Sequence, residues 1–420
     1  MTIKESLDKL FSLHNIGIKL GINNIQKFLD QIGNPQSSYK TIHVAGSNGK
    51  GSTSAFAASI LKEFGFAVGL YSSPHFVRFN ERIKINNIEI EDDYIADFVN
   101  KYNDLIDHLQ LTYFEVTTAM AFQYFDDKKV DYAVIETGLG GRLDATNVLT
   151  PEACIITSIG LEHTHILGDT LEKIAGEKAG IIKMNVPVFC GNMSSEAESV
   201  IEKKCEELGC RCYKLRDYIL KRDDSIELYT EDIEIDDFTT PLRGNYQKLN
   251  AALAGLTISK LFDTDDYAHI EKGIRKVLEN TGLQGRYEIF NSKPDIIFDS
   301  AHNPDGIKEF IEEFKKDSKG YNKKSILFGA MKDKSLKEML TTLGNHFDNI
   351  YVTEIDYERS AKAADLKKIA AEIGLGVEIK TNYVDFITSF LNNNKEDCLV
   401  VLGSMYLLGA IKSSLLNKIA

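Results

Sequence analysis

The sequence predicts an α/β protein with two domains. The first is a P-loop-type domain on a doubly wound, mostly parallel sheet, and the second is a smaller, Rossmann-like α/β domain. Three observations predict this. The 420 residues exceed the roughly 100–200 residues of one domain. Short apolar runs rich in branched residues are typical of buried parallel strands. These runs alternate with stretches of helical periodicity, as they do in a doubly wound sheet.

The elements of the first domain begin with two helical stretches that precede the first strand. The predicted helices are Lys4–Leu13, Asn24–Ile32, Ser52–Phe64, Ile95–Leu109, Val116–Phe125, Leu171–Ala179 and Asn250–Leu261. The predicted strands are Thr41–Ala45, Ala67–Tyr71, Tyr132–Ile135, Cys154–Ile159 and Pro187–Cys190. Between them, the polar run from Arg78 to Lys84 predicts a mobile surface loop or a solvated strand edge.

A second series of strands and helices follows. Its predicted strands are Ile296–Phe298, Ser325–Phe328, Ile350–Val352, Val377–Ile379 and Leu399–Leu402, and its clearest helices are Gly306–Phe314 and Ala361–Ile373. The polar, glycine-marked segment Thr281–Gln284 precedes it and predicts a boundary at Gly285-Arg286. The predicted domains are therefore residues 1–285 and 286–420, with a cleft between them, a common place for a ligand.

Composition and charge exclude several classes of protein. A net charge of −13 disfavours nucleic-acid binding, and it requires any anionic substrate to be captured by a local cluster of donors. Six cysteines in 420 residues are too few for a disulfide framework and fit a reducing cytoplasm. The first ten residues lack the apolar core of a signal peptide, and no apolar run approaches the ~20 residues of a membrane span, so we expect no membrane association.

The segment Thr41–Thr53 predicts a nucleotide-binding loop, because it runs from a strand through glycines into a helix. Backbone N–H groups at such a helix start can surround a phosphate, and Lys50 can reach its terminal oxygens. Ser52 or Thr53 can meet a magnesium ion. Gly51 separates Lys50 from Ser52, which departs from the common P-loop spacing. The alternative is an ordinary strand-to-helix turn.

Ser73 and Glu136 are candidate magnesium ligands. Glu136 ends a buried strand, where a side chain points into the ligand crevice of a parallel sheet. Magnesium takes one or two protein carboxylates besides phosphate and water oxygens. Ser73 precedes a proline and could complete the magnesium shell, or could form a plain Ser-Pro turn. Glu136 could instead cap a helix or pair with Arg142.

Other polar residues have open interpretations. His163 follows the strand that ends at Ile159 and could bind a metal or be hydrogen-bonded in place. Lys178 sits beside Glu177 and could be a surface charge pair. Asn250 opens a predicted alanine-rich helix, Arg286 lies in the interdomain segment, and Asp299 follows a predicted strand and suits a ribose hydroxyl. Their alternatives are a helix cap, a linker charge and a capping aspartate.

Read in order, these segments resemble the Mur ligase superfamily, and within it the folylpolyglutamate synthase/dihydrofolate synthase branch. The matching segments span positions 41 to about 408 and are HVAGSNGKGST, YSSPHFVRFNERI, LTYFEVTTAMAF, IETGLGGRLDATN, SIGLEHTHILGDTLEKIAGEKAGIIK, LQGRYEI, FDSAHNPDG and LGSMYLL. The departures are Ser47 where Thr is usual and Phe76 where Leu is usual.

The resemblance implies roles for individual residues. The implied ATP contacts are Gly49, Lys50, Gly51, Ser52, Asn250, Arg286, Asp299 and His302. The implied magnesium ligands are Ser73 and Glu136 in a first site and His163 in a second, with potassium as a further candidate cofactor. The implied catalytic residues are Lys50, His163 and Lys178, the last as a carbamylated lysine whose negative charge could hold metal. The implied pterin-binding residues are Leu20, Gly21, Ile22, Thr112, Tyr113, Phe114, Glu115, Leu143, Asp144 and Ala145.

The resemblance further implies an ATP-dependent, ADP-forming ligase of the cytoplasm, which we expect to be a monomer. It would add L-glutamate to dihydropteroate and to tetrahydrofolate tails through an acyl phosphate, with closure of the second domain excluding water. One alternative is tail extension alone. A cell-wall ligase is disfavoured because 420 residues leave little room for a UDP-sugar domain. The alternative from another class is a P-loop switch without ligation.

Overall fold

The computed structural model describes residues 2–17, 19–222, 225–229, 234–235, 239–264, 266–392 and 395–419. The chain divides into two compact units. The first comprises Met1–Pro74, Phe79–Pro241 and Gln247–Gly282, and the second comprises His75–Arg78, Leu242–Tyr246 and Leu283–Ala420. Each unit has its own sheet.

The main sheet of the first unit has the strand order β4-β3-β2-β5-β1-β6-β7-β8. Its strands are β1 (Lys40–Ala45), β2 (Val68–Tyr71), β3 (Ile83–Ile85), β4 (Ile88–Glu89), β5 (Tyr132–Glu136), β6 (Ala153–Ile156), β7 (Val188–Cys190) and β8 (Cys212–Lys214). The strands from β2 to β8 in this order pair in parallel, whereas β3 and β4 pair antiparallel at one side. A separate antiparallel sheet contains β9 (Ile219–Arg222), β10 (Ser225–Tyr229) and β11 (Glu234–Ile235).

Helices cover the main sheet. In chain order up to Gly282 the α-helices are α1 (Ile3–Ser12), α2 (Asn23–Ile32), α3 (Lys50–Glu63), α4 (Asp92–Leu109), α5 (Tyr113–Asp127), α6 (Thr164–Leu167), α7 (Leu171–Ala179), α8 (Ser195–Leu208), α9 (Asn245–Phe262), α10 (Tyr267–Arg275) and α11 (Val277–Thr281). One apolar cluster packs Phe122 of α5 with Ile135 of β5, and another packs Ile201 of α8 with Ile156 of β6. Because apolar clusters cover different strands of the sheet, the central strands are buried. Buried parallel strands favour near-continuous apolar runs, as their sequences show.

The polar run from Arg78 to Lys84 differs from its prediction. From Asn80 onward it forms a short 3-10 turn and β3, and Asn80, Arg82 and Lys84 are buried. Asn80 donates to the Ile90 carbonyl at 2.7 Å, and Lys84 donates to the Thr281 carbonyl at 3.0 Å. These long side chains are buried because each polar end has a partner. The mobile-loop prediction is therefore wrong.

The second unit has a sheet of order β12-β13-β17-β14-β15-β16. Its strands are β12 (Glu288–Asn291), β13 (Asp295–Phe298), β14 (Lys324–Phe328), β15 (Asn349–Val352), β16 (Glu378–Ile379) and β17 (Cys398–Leu402). Its helices are α12 (Pro304–Asp317), α13 (Leu336–Gly344), α14 (Ala363–Glu372), α15 (Tyr383–Phe390) and α16 (Met405–Ile419). Only β12 pairs antiparallel among the described strands of this sheet. Phe328 belongs to one apolar cluster and Leu327 to another, so neighbouring residues of β14 face opposite sides of the sheet.

The α/β prediction with a doubly wound first sheet and a second, smaller α/β sheet is confirmed. In the part of the chain that is described, no helix has both the length and the apolar character needed to cross a membrane.

Candidate active site

The glycine loop lies between the C-terminal end of β1 and the start of α3. Gly49 is the residue before α3 and has a φ of 88°, and Gly46 has a φ of 151°. A Cβ at Gly46 would lie 1.9 Å from Thr157 Oγ1, and one at Gly49 would lie 2.5 Å from Asn250 Oδ1. Backbone angle and space therefore both require glycine at these two positions.

Residues that follow β6 hold this loop in place. Thr157 donates its hydroxyl to the Asn48 carbonyl at 2.6 Å. Ser158 accepts from the Asn48 amide at 2.9 Å and donates to its carbonyl at 3.0 Å. Ser47 accepts from the Gly160 amide at 2.9 Å. The sequence indicated a strand end here but gave no reason to assign these hydroxyls to the loop, because β1 and β6 are neighbours only in the folded sheet.

Two lysines from different helices meet at one carbonyl of the glycine loop. Lys50, at the start of α3, donates to the Gly46 carbonyl at 2.8 Å. Lys178, near the end of α7, donates to the same oxygen at 2.7 Å. Two ammonium groups thus converge beside a helix N-terminus in a chain of net charge −13. Such a local positive cluster attracts anions.

Glu162 is the counter-ion of this cluster, and sequence reasoning gave it no role. Its Oε1 lies 2.7 Å from Lys178 Nζ, and the exposed fractions of the two side chains are 7% and 1%. Burial by itself raises the pKa of the Glu162 carboxyl, but the charges of Lys178 and Lys50 outweigh it and lower that pKa to about 2. Burial lowers the pKa of the Lys178 ammonium to about 8, against the opposing attraction of Glu162. Glu162 stands in a segment that resembles the family, but the sequence does not reveal its partner, because Lys178 lies sixteen residues away.

The interpretation of Lys178 as a surface charge pair with Glu177 is wrong. Lys178 is buried, and Glu177 instead pairs with Arg142 at 2.8 Å. Because Arg142 pairs with Glu177, it does not form the ion pair with Glu136 that the sequence left open. Consecutive residues on α7 point about 100° apart, so one faces the glycine loop and the other faces Arg142.

The structure brings together the two predicted ligands of the first magnesium site. Glu136 ends β5 and is buried, and its Oε2 accepts from the Ser73 amide at 3.2 Å. The described residues contain no group of three or more His, Cys, Asp and Glu side chains able to hold a metal by themselves. One carboxylate beside one serine suits magnesium, which relies on phosphate and water oxygens for its other ligands. This donor set fits a magnesium ion that arrives with a nucleotide.

Two further predicted residues lie at the glycine loop. Asn250 of α9 accepts at Oδ1 from the Thr53 hydroxyl at 3.4 Å, on the first turn of α3. His163 precedes α6 with a φ of 46° and lies close enough to Glu162 to help lower the pKa of that carboxyl. Gly51 and Ser52 occupy the first turn of α3, and the Ser52 side chain is buried. Lys178 as an ammonium donates and cannot ligate a metal, so a second site with His163 requires the carbamylated form.

The three predicted pterin-binding segments meet around the loop that follows β5. The Gly21 amide bonds to the Leu143 carbonyl at 3.4 Å. The Phe114 ring leaves no room for a Cβ at Gly138, because such an atom would lie 2.4 Å from Phe114 Cζ. Leu20 is 54% exposed, while Ile22 and Leu143 are partly buried. Residues 20–22, 112–115 and 143–145 are thus neighbours in the folded protein.

The polar side chains of these segments are bonded within the protein. Asp144 Oδ2 accepts from the amides of Gly138 and Leu139, and its Oδ1 accepts from the amide and hydroxyl of Thr146. Glu115 Oε2 accepts from the amide and hydroxyl of Thr112 at 2.8 Å, which closes a capping box at the start of α5. Both carboxylates therefore shape the backbone. Their direct contact with a pterin remains a prediction, as does that of Tyr113 and Ala145, which are buried.

In the second unit, the predicted nucleotide contacts Arg286, Asp299 and His302 gather around Ser300. Arg286 donates to the Ser300 hydroxyl, and His302 donates from Nδ1 to the Ser300 carbonyl at 3.0 Å. Asp299 accepts from the amides of Tyr287 at 2.7 Å and Ala301 at 2.8 Å. Burial raises the pKa of the Asp299 carboxyl, and these amides and Arg286 oppose the rise. The capping interpretation of Asp299 is wrong, because Asn303 is the N-cap of α12, and Asp299 instead holds the backbone at Tyr287 and Ala301.

Two family models match the chain. The model of the Mur ligase middle domain matches residues 44–258, and the model of the Mur ligase glutamate ligase domain matches residues 285–405. The first match includes the glycine loop, Glu136, Glu162 and Lys178. The second includes Arg286, Asp299 and His302.

Three named proteins similar to this chain match it over nearly its whole length. A dihydrofolate synthase/folylpolyglutamate synthase of Bacillus subtilis is 36% identical over 95% of this chain and 96% of its own. A folylpolyglutamate synthase of Lacticaseibacillus casei is 32% identical over 94% of each chain. The structure of E. coli FolC in complex with DHPP and ADP aligns with a TM-score of 0.89 and 28% identity over 100% of this chain and 99% of that one. The chain therefore belongs to the Mur ligase family, in the dihydrofolate synthase and folylpolyglutamate synthase branch.

Proposed function

We propose that this enzyme is an ATP-dependent, ADP-forming ligase that adds L-glutamate to dihydropteroate and to the glutamate tails of tetrahydrofolates. The observation that supports it most directly is the glycine loop at the N-terminus of α3, where the Lys50 ammonium lies on the Gly46 carbonyl. Such an arrangement suits the binding of a polyphosphate. The names of the full-length relatives supply the second substrate class, a folate or its pterin precursor.

The phosphate end of the nucleotide would be held by the glycine loop. The amides of residues 49–52 begin α3 and would donate to phosphate oxygens, and Lys50 would exchange its carbonyl bonds for bonds to them. Asn250 would contact the same nucleotide. Arg286, Asp299 and His302 would serve its adenosine side. The hydrogen bonds from Thr157 and Ser158 to the loop would keep these donors aligned before the substrate arrives.

Magnesium would be bound by Glu136 and Ser73, with His163 and carbamylated Lys178 at a second position. The bound ions would supply neutralising charge to the phosphate oxygens. Lys178 is suited to carbamylation because burial lowers the pKa of its ammonium to about 8, which raises the fraction of neutral amine at neutral pH. Potassium is a further candidate cofactor, and adding K⁺ to the reaction tests it.

The ligation itself follows from carbonyl chemistry. The substrate carboxylate oxygen attacks the γ-phosphorus, which yields an acyl phosphate and releases ADP. The amine of L-glutamate then attacks the acyl carbon, loses a proton, and displaces phosphate to leave an amide. Lys50 would stabilise the charge on the transferring phosphoryl group. Phe114 would offer its ring face to the pterin of the acceptor.

Steady-state ADP release tests this proposal. With purified protein, ATP and magnesium, we expect release that requires both L-glutamate and either dihydropteroate or a tetrahydrofolate. Release with tetrahydrofolate but not with dihydropteroate would restrict the enzyme to tail extension. ADP release that depends neither on an acceptor nor on glutamate would favour a P-loop switch and contradict ligation. Size-exclusion chromatography with light scattering tests the monomer that we propose for this cytoplasmic reaction.

A further inference from the structure

His43 lies at the centre of β1 and has no part in the reaction described above. It is fully buried and pairs along the backbone with Ile135 of β5 and Cys154 of β6. Its ring Nε2 lies 2.8 Å from the hydroxyl of Thr146. Its other nitrogen, Nδ1, has no hydrogen-bond partner among the described residues.

The bonds around Thr146 fix the direction of the protons. Its hydroxyl has one proton and lies 2.5 Å from Asp144 Oδ1, which as a carboxylate oxygen can only accept. The proton therefore points to Asp144, and His43 must donate to the hydroxyl from Nε2–H. Burial, with a smaller effect of the Lys183 charge, lowers the pKa of His43 to about 3, so the ring is neutral and Nδ1 is a bare acceptor.

The bare Nδ1 shows that packing alone does not explain a histidine here. A buried acceptor without a partner is unfavourable. A leucine would fill a central strand position without leaving such a nitrogen. The bond made at Nε2 is thus the physical reason for an imidazole at this position.

The hydrogen bonds from His43 through Thr146 to Asp144 form a relay. Asp144 connects this relay to the predicted pterin-binding residues. Its Oδ2 accepts from the amides of Gly138 and Leu139 at 3.0 and 2.8 Å. Gly138 is the residue against which Phe114 packs, and Leu143 in the same loop accepts the backbone bond from Gly21. The orientation of one carboxylate therefore sets the path of the loop from Gly138 to Thr146.

We propose that His43 is a positioning residue for the acceptor: through Thr146 it fixes the Asp144 carboxylate, and thereby the loop 138–146 that takes the pterin. The proposal rests on the proposed function for the identity of that acceptor. The relay starts on the strand that also leads into the glycine loop, yet its bonds run to the pterin loop. Loss of the relay should therefore weaken the acceptor site and spare the ATP site.

His43→Leu removes the donor, and His43→Gln keeps an amide N–H in the place of Nε2–H. We expect His43→Leu to raise the KM for dihydropteroate about 10-fold, the value of one hydrogen bond, and to leave the KM for ATP unchanged. His43→Gln should restore most of this loss. Thr41→Val, two residues earlier on the same face of β1, is the matched control and should change neither KM.

Thr146→Val provides a second variant that breaks the relay, and hydrogen exchange provides a measurement independent of turnover. In both His43→Leu and Thr146→Val the amides of Gly138 and Leu139 should exchange at least about 10-fold faster, while those of β5 stay protected. The double variant should have no larger effect on the dihydropteroate KM than either single change, because both break one chain of bonds.

Unchanged exchange at Gly138 and Leu139 in the folded variants would overturn the proposal, and so would a KM for ATP that rises as far as that for dihydropteroate. A wild-type enzyme that does not use dihydropteroate would contradict the proposed function instead. In that case the exchange measurement still decides the role of His43.

Discussion

At the residue scale, Lys178 and Glu162 form a buried ion pair beside the glycine loop, with Nζ and Oε1 2.7 Å apart. Removing one member of such a pair leaves the other charge buried without its partner. The pair therefore affects stability as well as the chemistry proposed for Lys178, and the two effects require different measurements.

Lys178→Ala removes the nitrogen that we propose to be carbamylated. We expect kcat to fall by about 100-fold or more, as for the loss of a group that stabilises transition-state charge, and added formate or acetate to restore part of it. Lys173→Ala on the same helix is the matched control, because Lys173 is exposed and forms an ion pair with Asp169. Equal kcat values for Lys178→Ala and Lys173→Ala would contradict the proposed role of Lys178.

The stability of the protein in acid tests the ion pair of Glu162 and Lys178. Its folded-state pKa of about 2 lies below the ordinary value of 4.5, so the stability that it contributes is complete above pH 4.5 and is lost as the pH falls toward 2. Burial disfavours the charged form of Lys178, and the resulting change of stability with pH falls between its pKa of about 8 and 10.5, outside the acid range. In EDTA, Glu162→Gln should therefore flatten the fall in unfolding free energy between pH 4.5 and 2, by up to about 3 kcal/mol. An identical slope in the wild type would show that other carboxylates cause it.

Individual roles could be predicted only where sequence order brings residues together. The glycine loop, Ser73, Glu136 and Lys178 are recognisable because each follows a strand or stands in a motif. Glu162 and the hydroxyls of Thr157 and Ser158 are not, because their partners come from other strands and helices. The site roles themselves remain predictions that the variants above test.

At the element scale, the connection between β1 and α3 depends on two glycines with positive φ. Gly49→Ala places a Cβ against Asn250 Oδ1 and forces a left-handed backbone on alanine. We expect the KM for ATP to rise about 10-fold or more, because a shift of about 1 Å displaces the amides that would meet phosphate.

Gly65→Ala at the other end of the same helix separates backbone strain from site geometry. Gly65 also has a positive φ, of 93°, but a Cβ there meets nothing within 4 Å. It should cost about 1 kcal/mol of stability and leave the KM for ATP unchanged. A similar rise in KM in both variants would mean that strain in α3, and not the loop, controls nucleotide binding.

Most predicted strands match the structure to within one residue at each end, whereas several helices are longer than predicted, such as α9, which begins at Asn245 and not at Asn250. The helix predicted at Leu171–Ala179 has those bounds, and the strand predicted at Thr41–Ala45 begins one residue earlier. The segment that contains β3 was predicted as a mobile loop or a solvated strand edge, since a three-residue strand contains no measurable alternation. The conformation of β3 comes from pairing with β2, which is a tertiary contact.

At the scale of the whole molecule, nucleotide binding should appear as thermal stabilisation. ATP with magnesium at about 100 times its Kd contributes roughly 2.7 kcal/mol by mass action, which corresponds to a shift of a few degrees in Tm. Lys50→Ala should abolish the shift while retaining the Tm of the free protein. Lys62→Ala, near the opposite end of α3, should keep the shift. A full shift in Lys50→Ala would exclude Lys50 from the nucleotide site.

The sequence alone determined the fold class and the family. Alternating periods of apolar residues specify strands and helices locally, and several motifs in one order identify a Mur ligase. Both predictions are confirmed. The boundary at Gly285-Arg286 is still a prediction, because the second unit also takes in residues 75–78 and 242–246.

Only the tertiary structure decided which side chains share a site. It placed Glu162 on Lys178, joined Lys50 and Lys178 at one carbonyl, and linked His43 to Asp144 through Thr146. These contacts join residues between 2 and 132 positions apart. The physical reason is that periodicity records which side of an element is buried, whereas hydrogen bonds and ion pairs depend on which elements become neighbours when the sheet forms.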